Sequence, residues 1–253
     1  MFVSLCLLTN VSFKMLRIVN ISILTLVIST NFSCKEKEEV ITSKTLSIDL
    51  LHFVNDLPVI NDSIMYQNRA GNQYSVTSLN YYLSDFTFED LNGIKHSYDI
   101  TQYFDPFNHQ NKLEIPNFKL GQYQKLTFTL GVSRAKNRKD GLPNNLDNIR
   151  MQWPEMMGGG YHFIKLEGHF RNQTETKGYA IHVGNSNFLT TCVIQEPFAI
   201  DLNNSLQLKM DINSFFESPY TYDLNKDPFY TMGDSASMSL IVKNAEDVFS
   251  IKK

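Results

Sequence analysis

The chain has 253 residues, 42% of them hydrophobic, and a formal net charge of −3. That length accommodates one large domain or two small ones, the apolar fraction supports a packed core, and the small net charge gives no electrostatic basis for nucleic-acid binding. Eighteen Phe and twelve Tyr against a single Trp favour β structure.

The N-terminus reads as a targeting segment. Lys14 and Arg17 flank an apolar run from Ile18 to Ile28, and small residues then lead to Cys34. A basic flank, a short apolar core and a cysteine after small residues form the pattern of a cleaved, lipidated leader. The apolar run is shorter than the ~20 residues of a membrane-spanning helix. Residues 1–33 are therefore expected to be a signal peptide, with Met15 an alternative start to Met1. Cys34 is the expected lipidation site, and residues 34–44 are a charged tether containing Lys35-Glu36-Lys37-Glu38-Glu39. That tether resembles the charged signals of surface lipoproteins in Bacteroidetes. The expected location is the bacterial cell envelope, anchored to a membrane by lipid at the outer membrane, on its periplasmic or surface face. Cys6 leaves with the leader and Cys34 carries lipid, so Cys192 remains alone as a buried thiol with no disulfide partner.

From Lys44 onward the pattern is strands and turns, and residues 45–253 read as one domain. Leu46, Ile48, Leu50 and His52 alternate with Ser47, Asp49, Leu51 and Phe53. This predicts a first strand, apolar on both faces and sandwiched, with His52 pointing inward. Asn68 to Gly71 is a turn, and Tyr74 to Glu89 is a long β-rich run. Asn92-Gly93 suits a tight hairpin, after which His96 to Phe104 returns. His96 and His109 sit beside turns and are expected in solvent. Asn111 to Ile115 and Gln124 to Val132 are further strands, divided by Pro116 and Gly121. The basic segment with Arg134, Lys136, Arg138 and Lys139 reads as a solvated loop. Asn144 to Ile149 forms one helical turn.

Residues Met151 to Phe170 hold the only Trp, three Met, three consecutive Gly and two His. Pro154 ends any regular element nearby, and Tyr161 to Phe170 is a strand. Period-2 alternation puts His162 with Ile164, Leu166 and Phe170, and puts Lys165, Glu167 and His169 on the opposite face. Glu167 is expected to pair with a strand neighbour such as Lys165 or an arginine. Asn172 to Lys177 connects to a return strand, Tyr179 to Val183, which brings His182 to the strand beside His162. Trp153, Met151, Met157 and His162 are close enough to line one pocket. Thioethers and imidazole suit copper, above all in its reduced form. The same residues also read as core packing around a hydrogen-bonded histidine. Thr191 to Ile200 and Ser205 to Asp211 are strands, Phe215 and Phe216 lie on a short helix, and Ser218 to Tyr230 is an aromatic loop. Asp234 caps a C-terminal helix with Ala236, Leu240, Ala245 and Val248 facing inward. The fold expected is mostly β, an antiparallel β-sandwich with a short C-terminal helix.

Three blocks carry a family resemblance. Met151-Gln152-Trp153 is followed by Gly160-Tyr161-His162-Phe163-Ile164-Lys165-Leu166-Glu167-Gly168 and later by His182-Val183-Gly184. Tyr66 to Gly71 is followed by Val76-Thr77-Ser78-Leu79-Asn80-Tyr81-Tyr82-Leu83-Ser84. Gly121-Gln122-Tyr123 is followed by Leu126 to Val132. In this order the blocks resemble the MbnP-like copper-binding domain family. The resemblance implies extracytoplasmic copper binding by two histidines and a kynurenine, made from a tryptophan by a partner diheme cytochrome c peroxidase. Here it implies His162 and His182 as ligands, His52 as a third candidate and Trp153 as the precursor, and the chemistry of copper(I) allows Met151 or Met157 as a weak further ligand. The sequence departs from the family pattern after M-x-W, where Glu155 or Met156 stands in place of a second Trp, and it has fewer cysteines.

No nucleophile elbow, P-loop, zincin histidine pair or dinucleotide fingerprint is present. Glu167 and Asp85, the carboxylates of the resembled blocks, form no acid–base pair. An enzyme is not expected. The expected function is copper acquisition or handling. The alternative is a metal-free surface module that contacts protein or glycan through its aromatic loops.

Overall fold

The computed structural model describes residues 41–172 and 175–252. The expected signal peptide, Cys34 and most of its tether lie outside them. In chain order the strands are β1 (Ser43–Val54), β2 (Leu57–Pro58), β3 (Tyr66–Gln67), β4 (Gln73–Tyr74), β5 (Ser78–Asp90), β6 (Lys95–Phe104), β7 (Lys112–Lys119), β8 (Gly121–Leu130), β9 (His162–Asn172), β10 (Glu175–Gly184), β11 (Thr190–Ile194), β12 (Phe198–Ile200), β13 (Leu206–Asp211) and β14 (Phe249–Ile251). The helices are α1 (Leu146–Arg150), α2 (Ser214–Glu217) and α3 (Ser235–Asn244). Among the described residues none forms a helix long and apolar enough to cross a membrane.

Two sheets face each other. The smaller has the order β14-β13-β1-β2, with β7 on β1, and the larger has the order β11-β8-β5-β9-β4-β3, with β6, β10 and β12 added to β5, β9 and β8. Alternation makes β1 the floor of the smaller sheet. Leu46, Ile48, Leu50, His52 and Val54 are buried and the residues between them are not. The expected sandwiching of both faces does not occur. Phe53 lies outside, with the ammonium groups of Lys209 and Lys252 5.1 and 5.9 Å from its ring centre. The pairing of β1 with β13 is parallel, Ile48 opposite Leu206, whereas the other strand ladders among the described residues are antiparallel. β7 runs through Pro116, which is tolerated because it falls at a register shift, where neither it nor Asn117 has a partner on β1.

The two layers meet through aromatics. Phe249 of the smaller sheet lies 5.1 Å from Phe128 and 6.4 Å from Tyr81 of the larger, and Tyr81 stacks on Phe104 at 5.1 Å. Side chains of this size contribute about 1.5–3 kcal/mol each when fully buried. Cys192 is buried beneath α3, its Sγ 3.6 Å from the carbonyl of Ala245, and burial pushes the thiol's pKa up. Asp234 caps α3 by accepting from the amides of Ala236 and Ser237. The inward face of α3 is Ser237, Met238, Ile241 and Asn244 rather than Ala236, with Ala245 and Val248 completing it after the helix.

One arrangement in the larger sheet positions everything that follows. Along a single edge, β5 pairs first with β9, from Ser78 to Tyr81, and then with β8, from Leu83 to Asp90. β8 and β9 part at Tyr82, and the chain from Gly131 to Tyr161 runs from one to the other. Tyr82 anchors it there: its carbonyl accepts from the Gly131 amide at 2.8 Å and its hydroxyl donates to Asn148 at 2.6 Å.

Candidate metal centre

The centre is built at the start of β9, where the alternation breaks. Opposite β10, Ile164 faces Val183, and the next pair is His162 with Gly184, so Phe163 is an extra residue on β9. Such a bulge reverses the parity of the strand before it. His162 therefore leaves the face of Ile164 and Leu166 and joins that of His182 and Glu167. This corrects the face read from alternation. It also explains how two histidines that are not register partners have ring centres 5.1 Å apart, with perpendicular planes. His182 itself stands opposite Lys165.

The indole of Trp153 completes the cluster, 4.8 Å from the His162 ring and edge to face with it. Its loop is closed on itself. The Trp153 amide donates to the carbonyl of Gly160 at 2.8 Å, and the indole N–H donates to the carbonyl of Met157 at 3.1 Å. The three glycines let this loop turn tightly, with φ of +105°, +67° and +85° at Gly158, Gly159 and Gly160. A Cβ on Gly160 would lie 2.3 Å from Oδ1 of Asn137, the atom that accepts the Tyr161 amide. On the other side of the indole, Gly184 leaves room for the ring. The glycine of His182-Val183-Gly184 is thus a clearance for Trp153.

The ring nitrogens are unequally satisfied. Nδ1 of His162 is 3.2 Å from the carbonyl of Met151, while its Nε2 is buried with no hydrogen-bond partner. Burial, then the neighbouring His182, lower the His162 pKa to about 4, so the ring is neutral at ordinary pH and its Nδ1–H donates to Met151. That leaves a buried lone pair on Nε2 with no protein partner, a state native proteins rarely tolerate without a ligand or an ordered water. Nε2 of His182 is 2.7 Å from Oε1 of Glu167, and this bond holds the Glu167 carboxylate below its ordinary range. Glu167 thus pairs with His182 and not with Lys165 or an arginine. Thr231 grips the backbone of the same residue, its hydroxyl accepting the His182 amide at 2.8 Å and donating to the His182 carbonyl at 2.7 Å.

Other residues singled out from the sequence fall elsewhere or act differently. His52 is buried between the sheets, its Nε2 2.8 Å from the Tyr81 hydroxyl, and burial lowers its pKa to about 4. Among the described residues its hydrogen bond and ring contact are both with Tyr81, and neither joins it to His162, His182 or Trp153. Met151 is buried and meets His162 through its carbonyl. His96 is half-buried and bonded to Asp90 at 3.1 Å, not solvated, whereas His109 is exposed. The basic loop is divided into separate contacts, Arg134 to the carbonyl of Ser186 and Lys139 to Glu155. Glu167 and Thr231 had no role in the copper site expected from the sequence. Face alternation puts Glu167 on the face opposite His162, so only the bulge reveals it, and no local signal marks Thr231, whose partner is 49 residues away.

A family model described as MbnP matches residues 43–233. The chain belongs to the MbnP family. Among solved structures, MbnP from Methylosinus trichosporium is similar, with a TM-score of 0.50 and 12% identity over 72% of this chain and 80% of that one. At that identity the likeness concerns the fold. No curated protein matches. The MbnP match spans β1 to the segment that carries Thr231, so the bulged strand, the indole and both histidines lie within it.

The residues present fit a soft, low-coordinate ion. Two imidazoles beside an aromatic edge offer two nitrogen donors, the one adjoining carboxylate, Glu167, being bonded to His182, and among the described residues no group of three or more His, Cys, Asp or Glu converges as a metal site. That donor set suits copper(I), which accepts two nitrogens, and not calcium or magnesium, which demand many oxygens.

Proposed function

We propose that this MbnP-family chain binds copper outside the cytoplasm and serves in copper acquisition or handling, without catalytic turnover. His162 and His182 are the nitrogen donors, and Trp153 lies beside them, either intact or oxidised to kynurenine by a partner diheme cytochrome c peroxidase. The carrying observation is the buried, unpartnered Nε2 of His162 beside the His182 ring. Buried polar atoms are as a rule paired with protein groups, water or a ligand, and no protein group among the described residues pairs this one. Met151 holds His162 through its carbonyl, and His52 is a core residue outside the site. The pattern ending at Cys34 supports anchorage of the protein to the cell envelope by lipid.

Copper(I) titration against a competing chelator tests this reading. His162→Ala and His182→Ala each lose most of their affinity, while His52→Ala and His109→Ala bind like the unmodified protein. Peptide mass spectrometry over Trp153, in protein from the native host, reports the kynurenine. If both ring variants bind copper normally, the proposed donors are wrong. An unmodified Trp153 in every preparation removes the kynurenine and leaves the histidine pair.

A further inference from the structure

We propose that Glu167 is the positioning residue of the centre, fixing His182 as the tautomer that offers Nδ1, so that copper is held by unlike nitrogens: Nε2 of His162 and Nδ1 of His182. The proposal rests on the histidine pair of the preceding reading and adds which atoms bind and what directs them.

The two histidines are locked by opposite ends of their rings. His162 has Nδ1 beside the carbonyl of Met151, at 3.2 Å. A carbonyl only accepts, so Nδ1 carries the proton and Nε2 the lone pair. His182 has Nε2 beside Oε1 of Glu167, at 2.7 Å. An ionised carboxylate also only accepts, so Nε2 carries a proton here, and in the neutral ring that binds a metal Nδ1 has the lone pair. Among the described residues nothing bonds to that Nδ1. A carboxylate behind a ligating imidazole orients the ring and makes it a better donor.

The rest of the neighbourhood keeps this geometry. Thr231 holds the backbone of His182 by two hydrogen bonds of 2.8 and 2.7 Å. Its segment is itself held along β10, the amide of Ala180 donating to the Phe229 carbonyl at 2.8 Å. Glu167 stands two residues along β9 from Lys165, the register partner of His182, and so reaches His182 diagonally on one face. Its side chain is 34% exposed and that of His182 is 15% exposed. Glu167 is therefore removable without emptying the core. Glutamine in its place can donate as well as accept, and no longer dictates the tautomer.

The test uses the full chain in three arms. Nitrogen-15 histidine spectra of the copper-free protein report the tautomers directly. His182 is expected as the Nε2–H form in the unmodified protein and as a mixture in Glu167→Gln. Copper(I) affinity is expected to fall about 10- to 100-fold in Glu167→Gln, with an unchanged unfolding temperature and recovery in Glu167→Asp. In the background of His182→Ala, adding Glu167→Gln should cost no further affinity. In copper(I)-loaded protein, the ligation shift should fall on Nδ1 of His182 and Nε2 of His162. An Nδ1–H form of His182 in the copper-free protein overturns the proposal, as does unchanged affinity in Glu167→Gln when His182→Ala has lost it. Normal affinity in His182→Ala is a different result, and it removes the histidine-pair reading itself.

Discussion

Gly184 and Trp153 are shaped to each other: a Cβ placed on Gly184 would lie 2.3 Å from Cε3 of the indole and 2.5 Å from Cδ2. The backbone of β10 is the surface on which the ring rests, and any side chain there pushes the ring off His162. Gly184→Ala is therefore expected to destabilise the protein by about 1–3 kcal/mol, the usual cost of overpacking a closed site. Urea unfolding measures this loss. Because Trp153 is the only tryptophan, native fluorescence reports the displaced indole directly. A variant with wild-type stability and spectrum would show that the ring does not occupy this position.

Copper-free stability should fall in mild acid, and His52 should account for part of the fall. Burial lowers its pKa from 6.5 to about 4, so the unfolded chain takes up the proton first. The stabilisation is complete above pH 6.5 and is lost as pH drops from 6.5 towards 4. The slope is about 1.4 kcal/mol per pH unit for one such group. His52→Gln keeps an acceptor for the Tyr81 hydroxyl and removes the titration. Denaturation curves across this range should be flatter for the variant, and equal slopes would place His52 in a solvated environment.

Asp234 satisfies two amides at the start of α3 and also accepts from the Ser237 hydroxyl at 2.7 Å. Asp234→Ala should cost about 1 kcal/mol, as for other lost helix caps. Thermal unfolding would register it. Copper affinity should not change, because α3 carries none of the proposed donors.

Lipid anchorage gives a separate expectation for the host cell. Cys34→Ser should move the protein from the membrane fraction to the soluble fraction, and should abolish metabolic labelling with a palmitate analogue. Retention in membranes with an uncut leader would count against the lipoprotein reading and leave the domain's chemistry untouched.

The fold was legible because its signals are local. Alternation in Leu46, Ile48 and Leu50 marks a strand, though not that only one of its faces is covered, Asn92-Gly93 marks a hairpin, and Asp234 marks a cap. The centre was legible only in part, since its geometry depends on register. Period 2 assigns His162 to the face of Ile164, and the single extra residue Phe163 reverses that assignment. No local pattern distinguishes a straight strand from a bulged one at this position. His52 has the same inward alternation as a ligand would, yet it serves Tyr81. Glu167 finds His182 and not Lys165 because the cross-strand diagonal favours it. The parallel direction of β13 was invisible for a related reason: an alternating strand has the same sequence pattern in either direction.

That parallel pairing also sets an order of events. Ile48 meets Leu206 and His52 meets Met210, so the middle of the smaller sheet joins residues from the beginning and near the end of the domain. The hairpins β5–β6 and β9–β10 close over short loops, whereas β1 has no partner on its β13 side until most of the domain is available. Loop closure over that span is slow compared with local hairpin formation. A growing chain that has just released β10 thus already carries His162 and His182 on adjacent strands, while the layer destined to cover the larger sheet is still incomplete. Refolding followed at Trp153 should accordingly precede the burial of Cys192, whose cover of Ala245 comes from the last stretch of chain.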